Sequence, residues 1–102
     1  MLDLEPNVTL SLEEGIVLHS LPEQDWYYAF SVVTGDQFRL NKTSFWVLEE
    51  ISIGIEWSVL KHNFLKTFEI SLEQAENDLK TLLDELSSQK IIRRDGNEKD
   101  EV

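Results

Sequence analysis

The spacing of apolar residues changes once along this chain, at Asn41, and that change constrains the fold more than any other feature of the 102-residue sequence. Before Asn41 apolar side chains tend to recur at every second residue; after it they recur at every third or fourth. A period of two sends side chains to alternate faces of a strand, whereas a period near 3.6 aligns them along one face of a helix. The chain therefore divides into a strand-rich first part and a helical second part, within a length that holds one domain.

In the first part, Val8-Thr9-Leu10-Ser11-Leu12 alternates, Glu13-Glu14-Gly15 is a turn signal, and Ile16-Val17-Leu18-His19 reads as the returning strand. Pro22-Glu23-Gln24-Asp25 breaks the pattern. The run Trp26 to Val33 is aromatic and β-branched, which suits a pleated surface. Alternation sends Trp26, Tyr28 and Phe30 to one face and Tyr27 and Ala29 to the other; one face meets the helices. Thr34-Gly35-Asp36 supplies a tight turn into Gln37-Phe38-Arg39-Leu40, so two antiparallel strands joined by a short loop are expected.

Asn41 is a good helix cap, because its side-chain oxygen can accept an orphan backbone N–H. Phe45, Val47, Leu48 and Ile51 then form an apolar helical stripe with Trp46 at its edge, and Gly54 ends it. A second helix is read from Trp57, Leu60, Phe64, Leu65 and Phe68. Ser71-Leu72-Glu73-Gln74 is a capping box, followed by the stripe Leu72, Ala75, Leu79, Leu82, Leu83 and Leu86, so the third helix is expected to reach about Gln89. Ile91-Ile92 suggests a short last strand. The fold class is α+β: a small antiparallel three-stranded sheet followed by three helices that cover one face of it, in a winged-helix-like plan. Residues 1–92 form the domain, and the nearly apolar-free run 93–102 reads as a disordered tail of mixed charge.

Composition removes several function classes. The 20 acidic and 9 basic residues give a formal net charge of -11. Nucleic-acid affinity comes largely from Lys and Arg neutralising phosphates, so a chain this acidic is not expected to bind DNA, RNA or an anionic membrane. Neutral or basic proteins and peptides are the expected partners. The sequence has no cysteine, which excludes disulfides, thiolate metal sites and cysteine nucleophiles. No apolar run approaches the roughly 20 residues that span a bilayer. Met1-Leu2-Asp3-Leu4-Glu5-Pro6 lacks the basic start and apolar stretch of a signal peptide, so a cytoplasmic location is expected.

No motif for catalysis is found. His19 and His62 are the only histidines and have no metal-ligand spacing. Glu13-Glu14 and Glu49-Glu50 are adjacent pairs that read as solvated surface. Glycines at 15, 35, 54 and 96 make no phosphate-binding loop, and no serine lies in a G-x-S-x-G context. No enzyme activity, metal or cofactor is expected. A three-stranded sheet does leave a strand edge with unpaired N–H and C=O groups, to which a peptide can add as a further strand; Gln37–Leu40 is the candidate.

The ordered set Phe38, Leu40-Asn41-Lys42-Thr43, Trp46-Val47-Leu48 and Gly54, followed by the acidic, Leu-rich third helix and Ile91-Ile92, resembles the PqqD-like family over roughly residues 8–92. Gln89-Lys90 stands where members often carry Lys-Gly, and no Thr or Ser caps the helix after Gly54. These are the peptide-recognition elements of pathways to ribosomally made, modified peptides, such as those for PQQ and lasso peptides. The resemblance implies a peptide chaperone that binds the leader of a precursor peptide as an added strand in a groove against the third helix. It implies delivery to a modifying enzyme, such as a radical SAM enzyme or a leader peptidase, with no reaction in the domain itself. By position, the peptide-binding residues are Gln37, Phe38, Arg39 and Leu40 on the strand and Leu79, Leu82, Leu83 and Leu86 on the helix. The competing reading is a winged-helix-type structural or transcription-related interaction module without a leader ligand. A DNA-binding version of it needs a basic recognition helix, and residues 69–90 carry six acids against two bases.

The charge argument has a direct check. Duplex DNA titrated with micromolar protein in moderate salt should show no salt-sensitive mobility shift; a shift that weakens steeply with added salt would overturn it.

Overall fold

The computed structural model describes residues 4–95. Six short strands and three helices build it. β1 (Thr9–Leu12) and β2 (Ile16–Leu21) lead through a single 3-10 turn, Pro22–Gln24, into β3 (Trp26–Ser31) and β4 (Gln37–Leu40). α1 (Lys42–Ile51), β5 (Ile55–Glu56), α2 (Trp57–Phe68), α3 (Leu72–Ser88) and β6 (Ile92–Asp95) follow. The architecture is α+β, with small antiparallel sheets and three helices.

The period change falls where the local chemistry puts it. Leu40 ends β4, and the Asn41 Oδ1 accepts the Ser44 N–H at 2.7 Å to start α1 two residues later. The inner stripe of α1 is buried, with Val47, Leu48 and Ile51 fully so. Gly54 then turns the chain at φ +80° and donates its N–H to the Ile51 carbonyl at 2.8 Å. Trp46, on the edge of the α1 stripe, packs against Phe68 of α2, edge to face at 5.4 Å, and against Phe64.

α2 begins without a side-chain cap. Its first N–H groups are taken by the incoming chain: Trp57 N donates to the Val8 carbonyl at 2.8 Å and Ser58 N to the Pro6 carbonyl at 3.1 Å. Backbone carbonyls thus satisfy the orphan donors that Thr or Ser would otherwise meet. α3 has its expected cap, the Ser71 Oγ accepting the Gln74 N–H at 3.1 Å. Lys61 on α2 reaches Glu76 on α3 at 2.8 Å, and this bond holds the Glu76 carboxyl below its ordinary pKa.

The strands pair differently from the expected single sheet. β2, β3 and β4 form one antiparallel sheet in that order, and β1 sits in a second, between β5 and β6. β1 and β2 are therefore not a hairpin, although Glu14 and Gly15 do form the turn between them. The Gly15 carbonyl instead accepts the Val32 N–H at 2.9 Å, which ties this turn to the end of β3. Gly15 has φ +85°, which glycine adopts without strain, and a Cβ there would stand 2.7 Å from the Val33 side chain. Val32 and Val33 are exposed turn residues beyond the end of β3.

β6 also runs further than expected. Arg93, Arg94 and Asp95, expected in the tail because that run has almost no apolar residues, pair with Ser11, Leu10 and Thr9 of β1. Ser11 Oγ donates to Asp95 Oδ2 at 2.7 Å, and the preceding Ile91 and Ile92 are buried. The anchoring lies in those two isoleucines and in main-chain pairing, neither of which composition reports. The remaining tail residues, 96–102, lie outside the described residues. No helix among the described residues is long and apolar enough to cross a membrane.

The core lies between the helices and the inner faces of both sheets, with Leu79 and Leu83 of α3 at 0% exposure beside Val8, Leu10, Ala29 and Leu48. Leu83→Ala should cost about 2–5 kcal/mol, the range for a fully buried leucine whose site collapses only partly. Urea unfolding checks it, and a loss below about 1 kcal/mol would show that the stripe does not carry the core.

Candidate functional site

β4 is an edge strand: it pairs with β3 on one side and no strand of the described residues lies on the other. Its register is fixed at both ends, by the Gly35 turn before it (φ +83°) and by the Asn41 cap after it. Ser31 N donates to the Asp36 carbonyl at 3.0 Å where the hairpin closes. Antiparallel pairs alternate between bonded and non-bonded. Counting from that bond, Ala29–Phe38 and Tyr27–Leu40 are the bonded pairs. The N–H and C=O groups of Gln37 and Arg39 therefore point away from β3, into the open side of β4.

A groove of about 390 Å³ runs along that side. All four β4 residues line it, from Gln37 to Leu40, with Asn41 and Ser44 from the start of α1. The opposite wall is α3, through Leu82, Glu85 and Leu86, with Gln89 just past its end. Phe38 and Leu82 are half-buried and Leu86 is almost fully buried, so these side chains give apolar patches to a groove whose exposed lining is mostly polar, with Glu85 and Gln89 at its rim. A second hollow, of about 280 Å³, shares Phe38 and Gln89 and continues toward Lys90 and Asp36.

Six of the eight residues assigned from sequence thus meet in one place: Gln37, Phe38, Arg39, Leu40, Leu82 and Leu86. Leu79 and Leu83 do not line the groove; both are fully inside the core. The reason is helical geometry. Leu79, Leu83 and Leu86 follow the buried stripe, whereas positions 82, 85, 86 and 89 follow the adjacent one that faces β4. Asn41 and Ser44 at the start of α1, and Glu85 and Gln89, also line the groove, and a leucine stripe does not reveal them; steps of three and four from Leu82 lead to Glu85, Leu86 and Gln89.

The outer face of the β2–β3–β4 sheet carries Trp26, Tyr28 and Phe30, with Trp26 42% exposed. Arg39 lies over the Trp26 ring, 4.0 Å from its centroid, and His19 stacks obliquely on Tyr28 at 5.3 Å. Among the described residues no group of His, Asp and Glu side chains converges as a metal site would require. The arrangement sets main-chain donors and acceptors beside a groove with apolar side chains from Phe38 and Leu82.

No known family profile matches the chain, and no curated protein is similar to it. A solved structure is: TbiB1 in complex with the TbiA(beta) leader peptide, at a TM-score of 0.72 over 85% of this chain and 99% of that one. The chain has the fold of TbiB1. Identity to TbiB1 is 14%, so the likeness lies in the course of the backbone.

The two neighbouring leucines on α3 separate wall from core. Leu82→Ala should cost about 1 kcal/mol, well below Leu83→Ala, since its half-buried side chain gives up less apolar area. Equal losses in paired urea melts would place Leu82 in the core and close the groove wall.

Proposed function

We propose that this chain is a peptide-recognition element of the PqqD-like type, which binds the leader of a ribosomally made precursor peptide by strand addition. One observation carries the reading: β4 has an unpaired edge facing a groove walled by α3, into which Phe38 and Leu82 bring apolar side chains. The fold shared with TbiB1, solved with a leader peptide, supports it. The leader pairs with the outward N–H and C=O groups of Gln37 and Arg39, which give affinity independent of sequence. Its alternate side chains enter between Phe38, Leu82 and Leu86, which give selectivity. Because the strand is held at both ends before binding, little ordering cost falls on the protein.

The domain performs no reaction. It presents the precursor, in the cytoplasm, to a modifying enzyme such as a radical SAM enzyme or a leader peptidase. Tethering raises the local concentration of the segment to be modified.

A proline scan tests the edge, with the leader of a precursor encoded beside this chain as ligand. Gln37→Pro and Arg39→Pro each remove one outward N–H and should weaken binding about tenfold, the equivalent of roughly 1–1.5 kcal/mol per bond. Phe38→Pro removes a bond to β3 and should unfold the protein. Full-strength binding by folded Gln37→Pro and Arg39→Pro variants would reject this edge as the site.

A further inference from the structure

Residues 1–40 contain seven acids and one base, and the one base is Arg39, in the strand whose edge is open. In a chain with 20 acids to 9 bases, a cation would be expected to find a carboxylate. Arg39 has no salt bridge among the described residues; its guanidinium carbon lies over Trp26, 4.0 Å from the ring centroid. The contact fixes a long, flexible side chain on the outer face of the sheet while leaving its charge unneutralised. The adjoining hollow of about 350 Å³ also holds Lys42 and Asp25, so cations exceed anions there by two to one. This reverses the balance of the molecule.

The position of Arg39 in the strand makes this charge readable. Residues side by side in neighbouring strands send their side chains to the same face, whichever way the strands run. The backbone of Arg39 faces the open edge, so the ligand residue beside it would point its side chain to the outer face, next to the guanidinium. The residues before and after that one turn the other way, into the slot of Phe38, Leu82 and Leu86, where Glu85 on the rim opposes a carboxylate.

We infer that Arg39 is a specificity-determining residue: it selects peptides in which an Asp or Glu stands between two apolar residues, the acid paired with Arg39 and the apolar neighbours in the groove. This inference rests on the proposed strand addition along β4. The ligand is thus an acidic-centred strand, although the net charge of the protein opposes acidic peptides in general. Local charge decides because a cross-strand pair acts at contact distance, whereas the diffuse field of the surface acids is screened within about 8–10 Å at ordinary salt.

A display library of random 12-residue peptides provides the test, panned against the wild type, Arg39→Gln and Arg39→Glu. Arg39 is an exposed side chain, so each variant should fold, and circular dichroism is the control. The wild type should enrich apolar–acidic–apolar triplets. Arg39→Gln should keep the apolar flanks and lose the central preference, and Arg39→Glu should shift the centre to Lys or Arg. A synthetic peptide from the wild-type pool should bind Arg39→Glu roughly tenfold more weakly. Identical acidic triplets from all three proteins would overturn the role of Arg39 while leaving strand addition standing. No enrichment by the folded wild type would overturn strand addition, and this inference with it.

Discussion

The distance between α3 and β4 is set by the burial of one side of α3, and everything at the groove depends on it. Leu79 and Leu83 are fully enclosed, and Leu86 is 2% exposed yet still reaches the groove wall. The Leu86 carbonyl also accepts the Ile91 N–H at 3.0 Å, while Lys90 N–H reaches the Ser87 carbonyl at 3.0 Å. That pair of bonds ends the helix in a Schellman turn, with Lys90 in the left-handed region at φ 62°. A lysine there costs about 1 kcal/mol relative to glycine. The turn delivers Ile91 and Ile92 into the core and β6 onto β1. One short segment thus ends the helix, closes the second sheet and completes the wall of the slot.

Legibility in the sequence followed the range of the interaction. Elements defined by near neighbours were readable: the Asn41 cap, the Ser71 cap, the Gly35 and Gly54 turns and the three helical stripes all lie where the residues place them. The edge character of Gln37–Leu40 also followed from strand order. Pairing between distant segments was not readable. β1 borders β5 and β6, which lie some 45 and 83 residues further along, and β5 is only two residues long, too short for any periodicity. Arg93-Arg94-Asp95 has the composition of a tail and the hydrogen bonds of a strand. On α3 the stripe was right, but its division into core and wall depends on which neighbour each leucine faces, and that is a tertiary fact.

An open strand edge is an aggregation hazard, and the fold limits it without closing it. β4 is four residues long. Its outward backbone belongs to one polar and one charged residue, Gln37 and Arg39, and the net charge of -11 keeps copies of the molecule apart. α3 covers one side of the approach. What remains is an edge that a single narrow strand can reach and a second sheet cannot readily approach.

The same shortness decides how a peptide added to this edge, as proposed, would have to be held. Two outward residues offer at most four main-chain hydrogen bonds in an antiparallel pairing. At about 1 kcal/mol net for each, they supply about 4 kcal/mol. The loss of translational and rotational freedom on association costs at least about as much. Backbone pairing alone therefore retains no peptide, whatever its sequence. Net affinity has to come from side chains entering the slot, at roughly 1.5–3 kcal/mol for each large apolar group that becomes fully buried. Two such groups bring the complex into a range where the right sequence binds and others do not. On the proposed strand addition, an edge this short leaves the choice of peptide to Phe38, Leu82 and Leu86 on one face of the added strand and to Arg39 on the other.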